Sequence, residues 1–253
     1  MDNSDCVQYS IRFGPLIRHV KFNFAPILPE SDEFVASEMD CNSVNLESEA
    51  TNQSNLRPWY FRNADWEIQI DNHRTTVSWR HHDILPSAQE IERLRARLGI
   101  VWCTLAGGFV FHASSIIHHN QAYLFSGHSG VGKTTLAQLL KGEQVLTNDQ
   151  VIVLPHSSDW SASCYLPRLT SKYMFSINRI FFLEQAKKSS ALRLEQTLGF
   201  AKVMESIFFE PDFHGSLKHL ILANADHFSS SIPTYQLQVS LEDIDIELLE
   251  KAS

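Results

Sequence analysis

The chain has 253 residues, 43% of them hydrophobic, and a formal net charge of −8. That is apolar material enough for one large domain, or a domain with a smaller companion, and it argues against a disordered chain. An acidic balance without a basic stripe argues against a nucleic-acid backbone as main partner, and no apolar run approaches the roughly 20 residues of a membrane span, so neither nucleic acid nor membrane is expected.

The chain starts Met1-Asp2-Asn3-Ser4-Asp5, with no apolar signal core behind it, which gives a cytoplasmic expectation. Cys6, Cys41, Cys103 and Cys164 are far apart and form no C-x-x-C pair, so they read as reduced, structural thiols. Over residues 6–28, Val7, Tyr9, Ile11 and Phe13, then Val20, Phe22 and Phe24, predict two strands of a hairpin turning near Gly14-Pro15. Between Glu30 and Asn55 lie Glu30, Asp32, Glu33, Glu38, Asp40, Glu47 and Glu49, with no Lys or Arg. That segment, about 30–57, reads as a solvated flexible insertion; a docking surface for a basic peptide is the sharper alternative.

Trp66–Ile70 and Thr75–Trp79 flank Asp71-Asn72-His73-Arg74 and predict a second hairpin. Pro86-Ser87 followed by Glu90 predicts a helix start capped by Ser87, with Ile91, Leu94 and Leu98 on one face. A second apolar stretch, Ile100–Leu105, ends at Gly107-Gly108. Phe109–Ile117 reads as one strand and His118–Gln121 as a turn. The pairs His81-His82 and His118-His119 lack the i, i+4 spacing of a helical metal chelate and read as surface.

Gly127-His128-Ser129-Gly130-Val131-Gly132-Lys133-Thr134 matches the phosphate-binding pattern G-x-x-x-x-G-K-[ST] at every fixed position. A buried strand is expected before it, at Ala122–Phe125, and a helix after it, through Thr135 to Leu140. Glycines let the backbone turn tightly so that several N–H groups face one anion, and a helix N-terminus favours phosphate. Lys133 would reach the β/γ-phosphates of ATP, and the Thr134 hydroxyl would ligate Mg2+. His128 occupies a variable position and reads as incidental, though it could touch phosphate.

Downstream, Val145–Asp149 and Gln150–Leu154 read as two strands about an acidic junction, and residues 156–176 as loop. Ile180–Leu183 reads as a buried strand, Leu192–Phe209 as a helix stopped by Pro211, Leu217–Asn224 as another, and Thr234–Val239 as a closing strand. The expected division is an N-terminal α+β region, 1–108, and an α/β core, 109–253.

The run Phe111-His112-Ala113-Ser114, the loop with Thr135-Leu136 after it, and Leu146-Thr147-Asn148-Asp149-Gln150-Val151 resemble the HPr kinase/phosphorylase family. The likeness is to its shorter relatives, which include kinases of ribosomally made precursor peptides. It covers roughly residues 109–154 and implies a P-loop core of the kind shared with phosphoenolpyruvate carboxykinase.

In that family a histidine ends the strand before the P-loop strand, and an acidic pair follows the loop helix. His112 stands 21 residues before Lys133, and Asp149 stands 16 after it. The resemblance makes Asp149 the catalytic acid/base and a metal ligand, with His112 near the transferred phosphoryl. A carboxylate there can accept the acceptor's hydroxyl proton or hold Mg2+, and His112 can donate to phosphate or tune Asp149. Arg168 falls where these kinases often carry an arginine; it reads equally as a clamp or a solvated loop residue. Glu184 is a weaker candidate for a second metal ligand.

Asn148 replaces the first acid of the pair, and Thr134-Thr135 replaces the usual Ser-Glu of HPr kinases. The downstream glycine-rich signature of true HPr kinase/phosphorylases is missing. The resemblance therefore implies an ATP- and Mg2+-dependent kinase whose acceptor is a Ser or Thr hydroxyl of a peptide or small protein. A small-molecule hydroxyl kinase, and a nucleotide-binding module with little catalysis, are the alternatives. The family often forms oligomers, so a homo-oligomer is an open expectation.

Overall fold

The computed structural model describes residues 7–13, 16–22, 34–35, 59–62, 64–70, 75–81, 85–140, 143–157, 159–164, 174–209, 215–240 and 244–252. The backbone divides into two units, Met1–Leu98 and Gly99–Ser253.

The first unit carries a six-stranded sheet in the order β3-β1-β2-β6-β5-β4. The expected first hairpin is β1 (Val7–Phe13) against β2 (Leu16–Phe22), antiparallel, with Val7 opposite Phe22. β3 (Phe34–Val35) is the described part of the acidic segment and pairs with β1. The rest of that segment lies outside the described residues, as do the turns at 14–15 and 71–74. β4 (Trp59–Arg62), which the sequence did not announce, pairs with β5 (Trp66–Ile70), and β5 pairs with β6 (Thr75–Trp79) as the second expected hairpin. In both β5 and β6 every second residue is buried, the period of a sheet with one covered face. Trp66 and Trp79 face each other in register, with ring centroids 4.5 Å apart. Such aromatic cross-strand pairs fix register, because a one-residue slip would turn both rings to the other face.

Helix α1 (Ala88–Leu105) begins as a capping box. Glu90 N–H donates to Ser87 Oγ (3.3 Å), and Ser87 N–H and Oγ–H both reach Glu90 Oε2 (2.7 and 2.6 Å). Ile91, Leu94 and Leu98 form its buried face. The stretch expected to be separate, Ile100–Leu105, continues the same helix, and Gly99–Thr104 are buried on all sides. The helix ends in a Schellman motif. Gly107, at φ 85°, donates to Thr104 O (3.1 Å), and Gly108 donates to Cys103 O (2.9 Å).

The second unit carries a nine-stranded sheet whose main path is β10-β8-β9-β13-β12-β11-β7. The run read as one strand is two, β7 (Phe109–His112) and β8 (Ser114–His118), broken at Ala113. β7 pairs with β11 (Gln150–His156), and β8 pairs with β9 (Gln121–Ser126) and β10 (Gln144–Thr147). The break arises because Ala113 N–H donates to the carbonyl of Asp149 (3.0 Å), which diverts the backbone from one partner to the next. His119 and Asn120, at φ 48° and 62°, make the two-residue turn between β8 and β9, the left-handed geometry that suits a tight hairpin.

Loop was expected across 156–176, but β12 (Asp159–Cys164) pairs with β11 as a hairpin; residues 165–173 lie outside the described set. β13 (Phe175–Gln185) runs parallel to β9 along one edge. Along the other it pairs first with β12 and then, in parallel, with β15 (Thr234–Val239). Part of the expected helix Leu192–Phe209 is strand β14 (Ser190–Arg193), paired to β15; helix α3 covers Gln196–Ser206, and its expected stop at Pro211 lies outside the described residues. α4 (Gly215–Ser231) extends beyond its expected end at Asn224. A short helix, α5 (Ile246–Lys251), was not foreseen.

Apolar packing joins the described residues of this unit. Ile116, Tyr123, Phe125, Leu136, Phe181, Leu237 and Leu249 join β8, β9, α2 (Lys133–Leu139), β13, β15 and α5. Phe109, Trp160 and Phe228 stack edge-on, with Phe228 of α4 at 5.1 Å from each of the other two. Among the described residues no helix is long and apolar enough to cross a membrane.

Candidate functional site

Strand β9, a loop at 127–132 and helix α2 stand in the order the sequence motif requires. β9 is enclosed by β8 on one side and β13 on the other, so its C-terminal end is fixed. Gly130 and Gly132 have φ of 80° and 106°, with open space where a Cβ would stand. Their constraint is backbone conformation, since an L side chain pays for this region whatever room it has. Gly127 is tight as well as left-handed, because a Cβ there would lie 3.1 Å from Val131 Cγ1 and 3.3 Å from Leu183 O.

Lys133 opens α2 and is 8% exposed. Its Nζ donates to Gly127 O (2.9 Å) and His128 O (3.2 Å), so the ammonium is drawn back across the loop mouth. Burial pushes its pKa down, and the negative charge of Asp149 partly offsets that. The carbonyl of Lys133 accepts from Ser114 Oγ (2.9 Å), which anchors the helix start to β8. Val131 is buried, while His128, Ser129, Thr134 and Thr135 are exposed. His128 Nδ1 lies 2.9 Å from Ser129 O, so its ring is engaged within the loop.

His112 and Asp149 stand near each other. β7 and β11 pair so that His112 opposes Gln150, the residue after Asp149. His112 Nε2 lies 3.6 Å from Asp149 Oδ1, an ion-pair distance longer than a hydrogen bond. Both side chains face solvent, at 37% and 65% exposure, so a reacting group can approach them. Thr134 Oγ1 lies 3.5 Å from Asn148 O, at the outer limit of a hydrogen bond, which places this hydroxyl beside the Asn148-Asp149 junction. Thr134 offers a hydroxyl and Asp149 a carboxylate, oxygen donors of the kind Mg2+ takes.

Four residues that the sequence did not single out as a support complete the surroundings. Ser126, at the end of β9, donates to His112 O (2.8 Å) and lies 2.7 Å from Ser206 Oγ on α3. Phe208 donates its N–H to Val110 O (2.9 Å) and sets its ring 5.4 Å from that of His112. Ser114 is the fourth, through its bond to Lys133. Nothing local marks Ser206 or Phe208, whose partners at this site stand 80 or more positions away in the chain. Glu184 is exposed on β13, two residues beyond the Phe182–Ser126 pair at the base of the loop. Arg168 lies outside the described residues.

A second polar cluster stands at the other end of β8. The spacing of His118-His119 predicts a surface pair, but His118 is buried. Its Nδ1 lies 3.0 Å from Glu143 Oε1 and its Nε2 2.8 Å from Glu250 Oε1. Burial by itself would lower the His118 pKa; the hydrogen bonds to Glu250 and Glu143 outweigh it, and the net shift is upward.

No protein-family model matches the chain, and no curated protein matches it. Among solved structures, the HPr(Ser) kinase/phosphatase from Coxiella burnetii is a weak structural neighbour, with a TM-score of 0.30 and 12% identity over 51% of this chain and 85% of that one.

Proposed function

We propose that this protein is an ATP-dependent phosphotransferase that moves the γ-phosphoryl group to a hydroxyl, a Ser or Thr of a peptide or small protein. The observation that carries the reading is the convergence of Lys133, Thr134, His112 and Asp149 about one glycine-rich loop. The loop N–H groups and the α2 N-terminus would bind the phosphates. Lys133 would exchange its two carbonyl partners for phosphate oxygens, and the incoming negative charge would offset the cost of its burial. Mg2+, held by Thr134 and Asp149, would supply charge neutralisation at the β/γ-phosphates. Asp149 would accept the proton of the acceptor hydroxyl, and its exposure leaves room for that group. His112 would hold the carboxylate's orientation or donate to a phosphoryl oxygen.

Asn148 favours a second reading, a nucleotide-binding module with little catalysis, because it removes one charge from the metal side of the site. A γ-labelled ATP transfer assay with Mg2+ separates the two, using cell extract and peptides encoded beside the gene as acceptors. The kinase reading expects label on one acceptor, none with Lys133→Ala, and a loss of at least about 100-fold with Asp149→Asn while nucleotide affinity stays close to wild type. Full turnover by Asp149→Asn would remove Asp149 as base. Nucleotide binding without transfer to any acceptor would favour the module.

A further inference from the structure

The cluster at the far end of β8 contains the donors of a transition-metal site. His118 is the last residue of β8 and His119 the first of the hairpin turn. Successive residues of a strand point to opposite faces, but His119 has left-handed backbone (φ 48°), and the two rings lie 4.0 Å apart, edge to face. Glu250 of α5 joins them. Its Oε1 is 2.8 Å from His118 Nε2 and 3.9 Å from His119 Nε2. One ligand atom from each of the three lies within 4.8 Å of the others. Metal–ligand bonds of about 2.1 Å in a tetrahedron separate donors by about 3.4 Å, so shifts of side chains alone would bring all three onto one ion.

Glu143 supplies the supporting feature. Imidazoles that bind metal through one nitrogen usually donate the other N–H to a carboxylate, which fixes tautomer and ring plane. His118 Nδ1 meets Glu143 Oε1 at 3.0 Å, and that carboxylate is itself mostly covered, at 16% exposure. The ring is thus held with Nε2 turned toward Glu250 and His119.

We propose that His118, His119 and Glu250 bind a divalent transition-metal ion of the zinc class, with Glu143 orienting His118. Two imidazoles and one carboxylate suit Zn2+ or Co2+ and not Mg2+, which takes oxygen ligands. Binding would replace the proton between His118 Nε2 and Glu250 Oε1, which passes to solvent. The ion would tie α5 to the β8–β9 turn, joining positions 132 residues apart in the chain. The site is separate from the glycine-rich loop and does not depend on the kinase reading.

The test uses the full chain, free of nucleotide and Mg2+. Zn2+ is titrated calorimetrically and Co2+ by its visible absorption, for wild type, His119→Ala and Glu250→Gln. The expected result is one Zn2+ per chain in wild type, bound at least about tenfold more weakly by His119→Ala, and intense Co2+ bands lost in both variants. His119 is 75% exposed and its removal leaves the His118–Glu250 contact in place, so this variant separates loss of a ligand from loss of the fold. Absence of stoichiometric Zn2+ binding in wild type would overturn the proposal and leave a proton-bridged clamp. Equal binding by wild type and His119→Ala would also overturn it, placing the ion on other histidines.

Discussion

Gly108 shows how a residue's reason for being small can lie far from it in sequence. A Cβ at this position would collide with the carbonyl oxygen of Val153 and press on Leu154 Cδ2 at 2.9 Å. The obstruction is the backbone of β11, which is paired along both edges, and Gly108 also gives its carbonyl, beside that of Thr104, to the side-chain amide of Asn224. Gly108→Ala is therefore expected to destabilise by about 3 kcal/mol, the upper part of the overpacking range, as a lower urea midpoint at unchanged slope. A midpoint within error of wild type would show that β11 yields. The sequence offered Gly107-Gly108 only as the end of an apolar stretch. It singled out Lys133 through a local motif, and Asp149 only through the family resemblance. It hid the burial of His118, because Glu250 and Glu143 become its neighbours only through folding.

At the scale of single elements, the start of α1 was legible down to the atoms. Ser87 and Glu90 sit three residues apart, and the capping box follows from that spacing. The hydrogen bonds from Ser87 to the Glu90 carboxylate hold its pKa below the usual glutamate range. A depressed carboxylate stabilises the fold at pH values above its unfolded pKa, and that contribution is lost as the pH falls through the folded value. Glu90→Gln should thus be less stable than wild type at neutral pH, with the gap closing on acidification. Urea unfolding of both proteins from pH 7 to pH 3 reads this directly; a gap independent of pH would assign the stabilisation to packing.

Other elements were hidden for definable reasons. Phe109–Ile117 is a continuous β-prone run, and only the distant Asp149 carbonyl tells it to break at Ala113. β14 reads as helix because Leu192 and Arg193 lack a strand's bias, yet they pair with Gln236 and Tyr235. β12, with its Trp160 and three small polar or alanine residues behind it, was masked by the Ser- and Pro-containing segments around it.

Over the whole molecule, the sequence suggests an N-terminal α+β part and an α/β part, but the order of strands is out of its reach. Hairpins such as β8–β9 and β5–β6 can be read from adjacent segments and their turns. The partner of β9 on its other edge cannot, because β13 lies more than fifty residues downstream, and β15, which extends β13, lies later still. The mixed sheet is what turns a common loop motif into a fixed site. Leu183 of β13 is the backbone against which Gly127 sits, and Ser206 of α3 touches Ser126 at the end of β9.

That arrangement sets an order in time. Contacts between segments distant in sequence form slowly, since the entropy of closing the intervening chain is lost before the contact can repay it. The glycine-rich loop borders β13, whose own far edge waits for β15, so it should take its final shape late, after α1 and the β8–β9 hairpin. Refolding from urea with pulsed hydrogen exchange would show this as protection at Phe181 and Leu183 trailing protection at Val101 and Trp102. If protection at all four rose together, the unit would assemble in a single step, and a chain still emerging during synthesis would have no early version of the loop to expose.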